Sequence, residues 1–170
     1  MDTLAHGLYG GAAFAKKSKR SFWLAFFFGV FPDLAAFGLH FPVVFYNRFI
    51  LNDPAYVRIE PPAAHMIPDY VYGIYNFSHS LVIFVLVFAI VWYIRKRPMY
   101  ELSAWGLHIL MDIPSHTHAF FPTPFLYPLS AFSVNGISWG TPWFFYSYWG
   151  ILIGIYGYVF LSRRRKNQDL

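Results

Sequence analysis

All but two of the 13 Lys and Arg residues in this chain sit in three short runs, each at an end of an apolar stretch. Lys16, Lys17, Lys19 and Arg20 form the first run, Arg95, Lys96 and Arg97 the second, and Arg163, Arg164, Arg165 and Lys166 the third. The stretches they bound are Ser21–Phe45, Phe77–Ile94, Leu102–Ile113 and Pro142–Leu161, with a shorter one at Thr3–Ala15. Phe77–Ile94 and Pro142–Leu161 match the ~20 residues that a helix needs to cross a bilayer. Charged residues are only 12% of the chain and apolar ones 57%, against ~25% charged in ordinary globular chains. That is too little charge to coat a soluble surface, and it also excludes disorder, a coiled coil or a collagen-like fibre. The net charge is +5, and because its positive charge sits mainly in the three runs it reads as membrane flanks and not as a nucleic-acid surface.

Basic flanks stay cytoplasmic. On that rule the stretch from Ser21 runs outward, Phe77–Ile94 inward, Leu102–Ile113 outward and Pro142–Leu161 inward, leaving the C-terminus in the cytoplasm. The long connections, about 40 to 76 and 114 to 141, fall on the far side and hold only Arg48 and Arg58 as basic residues. Thr3–Ala15 rises only ~20 Å as a helix; it either starts outside or lies partly in the membrane. It is not a signal peptide, because its basic run follows the apolar part. The expected fold is all-α: a single membrane-embedded domain over 1–170, an integral membrane bundle of four to five helices around a polar, metal-binding centre.

Ionisable groups inside apolar segments are costly, and by default they mark function. Five occur here: His6, Asp33, His79, His108 and Asp112. At the ~1.5 Å helical rise, His6 lies ~15 Å from Lys16, Asp33 ~20 Å from Arg20 and His79 ~24 Å from Arg95. His108 and Asp112 lie ~16 and ~22 Å from Arg97. All five therefore share a layer between the middle and the outer half of a ~30 Å hydrocarbon core. His108 and Asp112 are four apart, on one helix face. With no cysteine in the chain, a metal here would be held by imidazole and carboxylate. That donor set suits zinc, with manganese or iron as alternatives, and it also fits two ions bridged by one Asp. His116 and His118 follow in a loop and read equally as solvated residues or as ligands closing a second position.

Each residue also has a structural reading. A lone histidine in an apolar helix is more often a hydrogen-bonded packing residue. Asp33 could cap a helix restarting after Pro32, and His79 could belong to the polar first turn of the helix beginning near Phe77. The Gly7-x-x-x-Gly11 spacing reads as close helix packing, since a P-loop's Gly-Lys-Ser/Thr is absent. The shared depth of the five groups is what those readings leave unexplained.

The motif order Ala5-His6-Gly7, Phe31-Pro32-Asp33-Leu34, Ser78-His79-Ser80 and Leu107-His108-Ile109-Leu110-Met111-Asp112, followed by Pro122-Thr123-Pro124 and Pro128, resembles the YdjM-like membrane-bound metal-dependent hydrolases. The order His, Asp, His, His-x-x-x-Asp is also similar to the ligand order of bacterial zinc-dependent phospholipases C, which are all-helical. The resemblance implies that His6, Asp33, His79, His108 and Asp112 are metal ligands, with Asp112 as the bridge and His118 near a further zinc. It implies Asp33 and Asp112 as the catalytic carboxylates, and a bacterial inner (plasma) membrane location. Two positions depart from the family pattern: its second Asp after Pro-Asp is Ala35 here, and its His-Arg is Ile74-Tyr75.

The function expected first is a metal-dependent hydrolase, in which a metal-activated water attacks an ester or phosphoester, such as a lipid headgroup. Membrane lipids are the expected partners and nucleic acid is not. A site in the outer half of the bilayer can meet lipids laterally, and Arg48 or Arg58 would serve either as a phosphate contact or as an interfacial anchor. A metal-binding or structural membrane protein without turnover ranks second. A metal-ion or proton transporter ranks third, because the inner halves of the helices carry no polar path.

Overall fold

The computed structural model describes residues 1–57 and 67–168, and among them the secondary structure is helical, with no strand. Thr3–Phe14 is α1, Lys19–Phe37 α2, His40–Phe45 α3 and Pro54–Val57 α4, with a π turn at Tyr46–Ile50 between the last two. Asp69–Ser78 is α5, Leu81–Arg95 α6, Ser103–Ser115 α7 and Pro142–Gln168 α8. Arg58 lies outside the described residues.

Small polar residues set the helix starts. The Asp2 carboxylate accepts from Ala5 N at 2.9 Å, Ser18 Oγ from Ser21 N at 3.0 Å and Ser80 Oγ from Ile83 N at 3.2 Å, each satisfying an amide that has no partner within its helix. Lys96 ends α6 in the left-handed conformation, φ 56°.

Glycine determines how α1 and α2 meet. A Cβ on Gly29 would stand 2.6 Å from the His6 carbonyl oxygen and 3.1 Å from Gly7 Cα, and one on Gly10 would stand 2.7 Å from the Ala25 carbonyl. The backbones therefore touch directly at Gly7, Gly10 and Gly29, while Gly11, the second glycine of the Gly7-x-x-x-Gly11 spacing, makes room for the Phe22 ring. Pro32 does not break α2, which runs on to Phe37. The apolar stretch thought to continue to Phe45 instead turns near Gly38 and restarts as α3.

His79 is not inside a helix. α5 ends at Ser78, α6 begins at Leu81, and the two axes bend by 60° at the break. Trp105 Nε1 donates to the Ser78 carbonyl at 2.6 Å, Leu81 N donates to the Phe125 carbonyl at 2.9 Å, and Ser80 Oγ donates to the Tyr127 carbonyl. The polar backbone freed by the bend is thus covered from α7 and from the segment that follows it, as buried amides require.

Lys17 Nζ meets Glu101 at 2.7 Å and Lys16 Nζ lies 4.5 Å from the Tyr158 ring centroid. These contacts gather the residue 16–20 turn, the connection from α6 to α7 and the second half of α8 at one end of the bundle. α2 and the Pro142–Ser162 part of α8 are each long and apolar enough to cross a membrane, and α5 with α6 makes a third if the bent pair is one span. Trp23, Val85, Ile94 and Ile153 are 60–71% exposed; apolar surface on this scale suits a lipid environment. At ~1.5 Å per residue, α1 and α7 reach only ~20 Å, less than a full crossing. They pack against α2 at the centre, and there the five polar residues converge.

Candidate metal centre

The five ligand candidates arrive from four places in the fold: His6 from α1, Asp33 from α2, His79 from the α5–α6 break, and His108 with Asp112 from one face of α7. The last two are followed by His116, four residues on and just past the helix end. None of the six is more than 9% exposed.

One atom each from Asp33, His79, His108 and Asp112 lies within 4.8 Å of the others, a set that could hold a metal ion. His79 Nε2 is 3.4 Å from Asp33 Oδ1 and 3.5 Å from Asp112 Oδ2; His108 Nε2 is 3.7 and 3.1 Å from the same oxygens. The two Nε2 atoms are 3.1 Å apart. A tetrahedral ion with bonds of ~2.0–2.1 Å has ligand–ligand edges of ~3.3 Å, so the polyhedron already has about the size required.

The imidazole tautomers follow from the hydrogen bonds. A carbonyl only accepts, so a ring nitrogen bonded to one carries the proton. His108 Nδ1 donates to the Gly29 carbonyl at 2.6 Å, His79 Nδ1 to the Tyr75 carbonyl at 3.1 Å, and His116 Nδ1 to the Phe121 carbonyl at 2.8 Å. Each neutral ring therefore points an Nε2 lone pair inward, the arrangement that metal-bound histidines need.

Asp112 faces two ways. Oδ2 looks toward His79 and His108, while Oδ1 lies 3.1 Å from His6 Nε2 and 3.3 Å from His116 Nε2. The Met1 amino group donates to Asp112 Oδ1 at 2.5 Å and to Ser115 Oγ at 2.8 Å. Both His6 nitrogens, His116 Nε2 and Asp112 Oδ2 are buried without a hydrogen bond. Buried polar atoms without a hydrogen bond are rare and costly; here two of the nitrogens lie against Asp112 and the third, His6 Nδ1, lies 3.6 Å from Asp33 Oδ2, which marks a place shaped for something else. Two buried carboxylates also demand positive charge. The Met1 ammonium offsets one of the two charges and neutral imidazoles offset none, whereas a divalent cation fits the remaining charge and the lone pairs.

The structure thus brings together His6, Asp33, His79, His108 and Asp112. It does not bring His118 there. That side chain is exposed, its Nε2 lies 3.2 Å from the Ser133 carbonyl, and its amide donates to Asn135 Oδ1 at 2.9 Å. His116 takes the place expected of it, because the step of four residues from Asp112 keeps the same face whereas six does not. The series 108, 112, 116 was the available signal. Asp33 Oδ2 accepts from Thr3 Oγ1 at 2.7 Å, a contact the sequence did not announce. Arg48 is exposed on the π turn with its guanidinium 5.4 Å from the Phe49 ring centroid. Comparison with protein-family models, curated proteins and solved structures found no match to this chain.

Proposed function

We propose that this is an integral membrane protein in which Asp33, His79, His108 and Asp112 hold a divalent cation, zinc first and manganese or iron as alternatives, for hydrolysis of an ester or phosphoester such as a lipid headgroup. The observation that carries the reading is the set of inward Nε2 lone pairs, two of them 3.1 Å apart, facing two buried carboxylates. His6, His116 and the second oxygen of Asp112 offer a position for a second ion, with Asp112 as bridge. Bound there, a divalent cation supplies Lewis acidity and a water acidified toward neutrality. The chain's own part is to fix the imidazole tautomers through backbone carbonyls, and to keep Asp33 and His116, the two least covered members of the set, at the edges where a substrate can approach. Asp33 Oδ2, which accepts from Thr3 Oγ1, would serve as the carboxylate that takes a proton from such a water. The YdjM-like motif order supports the same reading.

A metal-binding membrane protein without turnover is the second reading, favoured by how completely the ligands are covered. The test is elemental analysis of detergent-purified protein beside a His108→Ala/Asp112→Ala double variant, followed by a phosphoester screen. The expected result is stoichiometric metal and hydrolysis in the wild type, both lost in a folded variant. Metal without hydrolysis selects the second reading, and wild-type protein that stays empty in excess metal overturns both.

A further inference from the structure

Metal-bound imidazoles are held in place by the groups on their far side, and one residue serves that purpose on both sides of Asp112. The Tyr75 side chain is 1% exposed. Its ring stacks on His79, with centroids 3.8 Å apart and planes at 21°, while its backbone carbonyl accepts the His79 Nδ1 proton. Its hydroxyl donates to the Phe121 carbonyl at 3.0 Å, the same oxygen that accepts from His116 Nδ1 at 2.8 Å. The carbonyl has two lone pairs, and both are spent in this way.

The Phe121 carbonyl needs such anchoring. Phe121 has φ 47°, left-handed backbone that a residue with a bulky side chain avoids. It is held there by its ring, which stacks on Tyr72 with centroids 4.8 Å apart and packs edge-on against Phe37 at 5.0 Å. The aromatic cluster fixes the position of the turn, and the Tyr75 hydroxyl fixes the direction of its carbonyl. His116 has no other anchor on its outer side: its Nδ1 meets only this carbonyl and, at 3.5 Å, the Tyr75 hydroxyl itself.

We propose that Tyr75 is a positioning residue that links the two ion positions: its ring and backbone carbonyl set His79 for the first, and its hydroxyl, through the Phe121 carbonyl, sets His116 for the second. The inference rests on the two-ion reading above. It separates the contributions of one side chain in a way that general packing does not. Tyr75→Phe keeps the ring on His79 and the backbone carbonyl but deletes the hydroxyl, so only the second ion is affected. Tyr75→Leu deletes the stack as well, so both are.

The experiment is a stepwise cobalt(II) titration of the metal-free full chain in detergent, read by visible absorption, with each affinity fixed by chelator competition. Metal-free melting is recorded in parallel. For wild type, two ions per chain are expected. In Tyr75→Phe the second should bind about 10-fold more weakly, the lower end of what removal of such a contact does, with the first unchanged and metal-free melting close to wild type. In Tyr75→Leu both should weaken. Two ions bound by Tyr75→Phe with wild-type affinities, or both weakened equally, overturn the role of Tyr75 while leaving the two-ion reading intact. A wild type that binds one ion overturns the two-ion reading together with this inference, and a wild type that binds none overturns the metal reading as a whole.

Discussion

His79 Nε2 and His108 Nε2 face each other at 3.1 Å, each ring having already given its Nδ1 proton to a backbone carbonyl. Two lone pairs at that distance repel unless a proton or a cation lies between them. Without metal the pair is a source of strain, and with metal it is two ligands of one ion. Chelated wild-type protein should therefore melt below the zinc-loaded form, with zinc at 100 times its dissociation constant adding ~2.7 kcal/mol. His108→Leu removes one lone pair and fills the space, so its metal-free form should be at least as stable as metal-free wild type and gain less from zinc than wild type does, keeping at most the second ion. Thermal melts with and without chelator measure this; a His108→Leu protein stabilised by zinc as much as wild type contradicts the assignment.

The contact of α1 on α2 is as close as backbones allow, and it lies directly beside the ligands. An added methyl at Gly29 would meet the His6 carbonyl at 2.6 Å, and Gly29 also holds His108 by its own carbonyl. Gly29→Ala should destabilise by ~1–3 kcal/mol through overpacking and reduce metal uptake, because His6 and His108 both shift. Gly154 on α8 has nothing within 4 Å of an added Cβ, so Gly154→Ala should leave both properties unchanged. Melting and metal content on the two variants separate a specific close approach from a general intolerance of alanine in these helices.

The layer of polar residues was legible in the sequence because depth in a helix is set by a fixed rise and the basic runs give a common reference. Hence His6, Asp33, His79, His108 and Asp112, from four stretches, could be placed together before any coordinates. What was not legible depends on local breaks. Ser78-His79-Ser80 reads as the start of a helix, but it is the junction of two bent ones, and that position is what turns His79 inward. Pro32 reads as a break and is none, since tertiary contacts on both sides of α2 outweigh one missing amide bond. The roles of Tyr75 and Phe121 depend on a shared carbonyl and a left-handed turn, neither of which leaves a pattern in residue spacing.

His116 and His118 offer a direct choice between two ligands only two residues apart. His116 Nε2 is buried 3.3 Å from Asp112 Oδ1, while His118 is exposed and tied to the 133–135 segment. His118→Ala should keep the wild-type metal stoichiometry and lose no more than ~0.5 kcal/mol of stability, as for other surface changes. His116→Ala should lower the stoichiometry by one ion while His79 and His108 still bind theirs. Elemental analysis of the two variants decides; loss of metal from His118→Ala would move the second position into the 116–141 loop.

At the end of the bundle where the basic runs gather, Glu101 accepts from Lys17 Nζ at 2.7 Å, joining the turn before α2 to the turn before α7. Burial alone would raise its carboxyl group's pKa, but hydrogen bonds from Lys17 and Ser21 bring it from the ordinary 4.5 to about 2. A folded-state value below the unfolded one means that the charged carboxylate stabilises the fold. That contribution is complete above about 4.5 and is lost as pH falls toward about 2. Lys17 is 55% exposed in its side chain, so solvent screens the pair and its worth is ~0.2–1 kcal/mol. Glu101→Gln should therefore melt slightly below wild type at neutral pH, with the gap closing as both proteins are taken from pH 5 down to pH 3. The comparison cancels the other carboxylates, which are the same in both. A gap that stays constant across that range would mean that the Glu101 charge contributes nothing and that the side chain acts through packing alone.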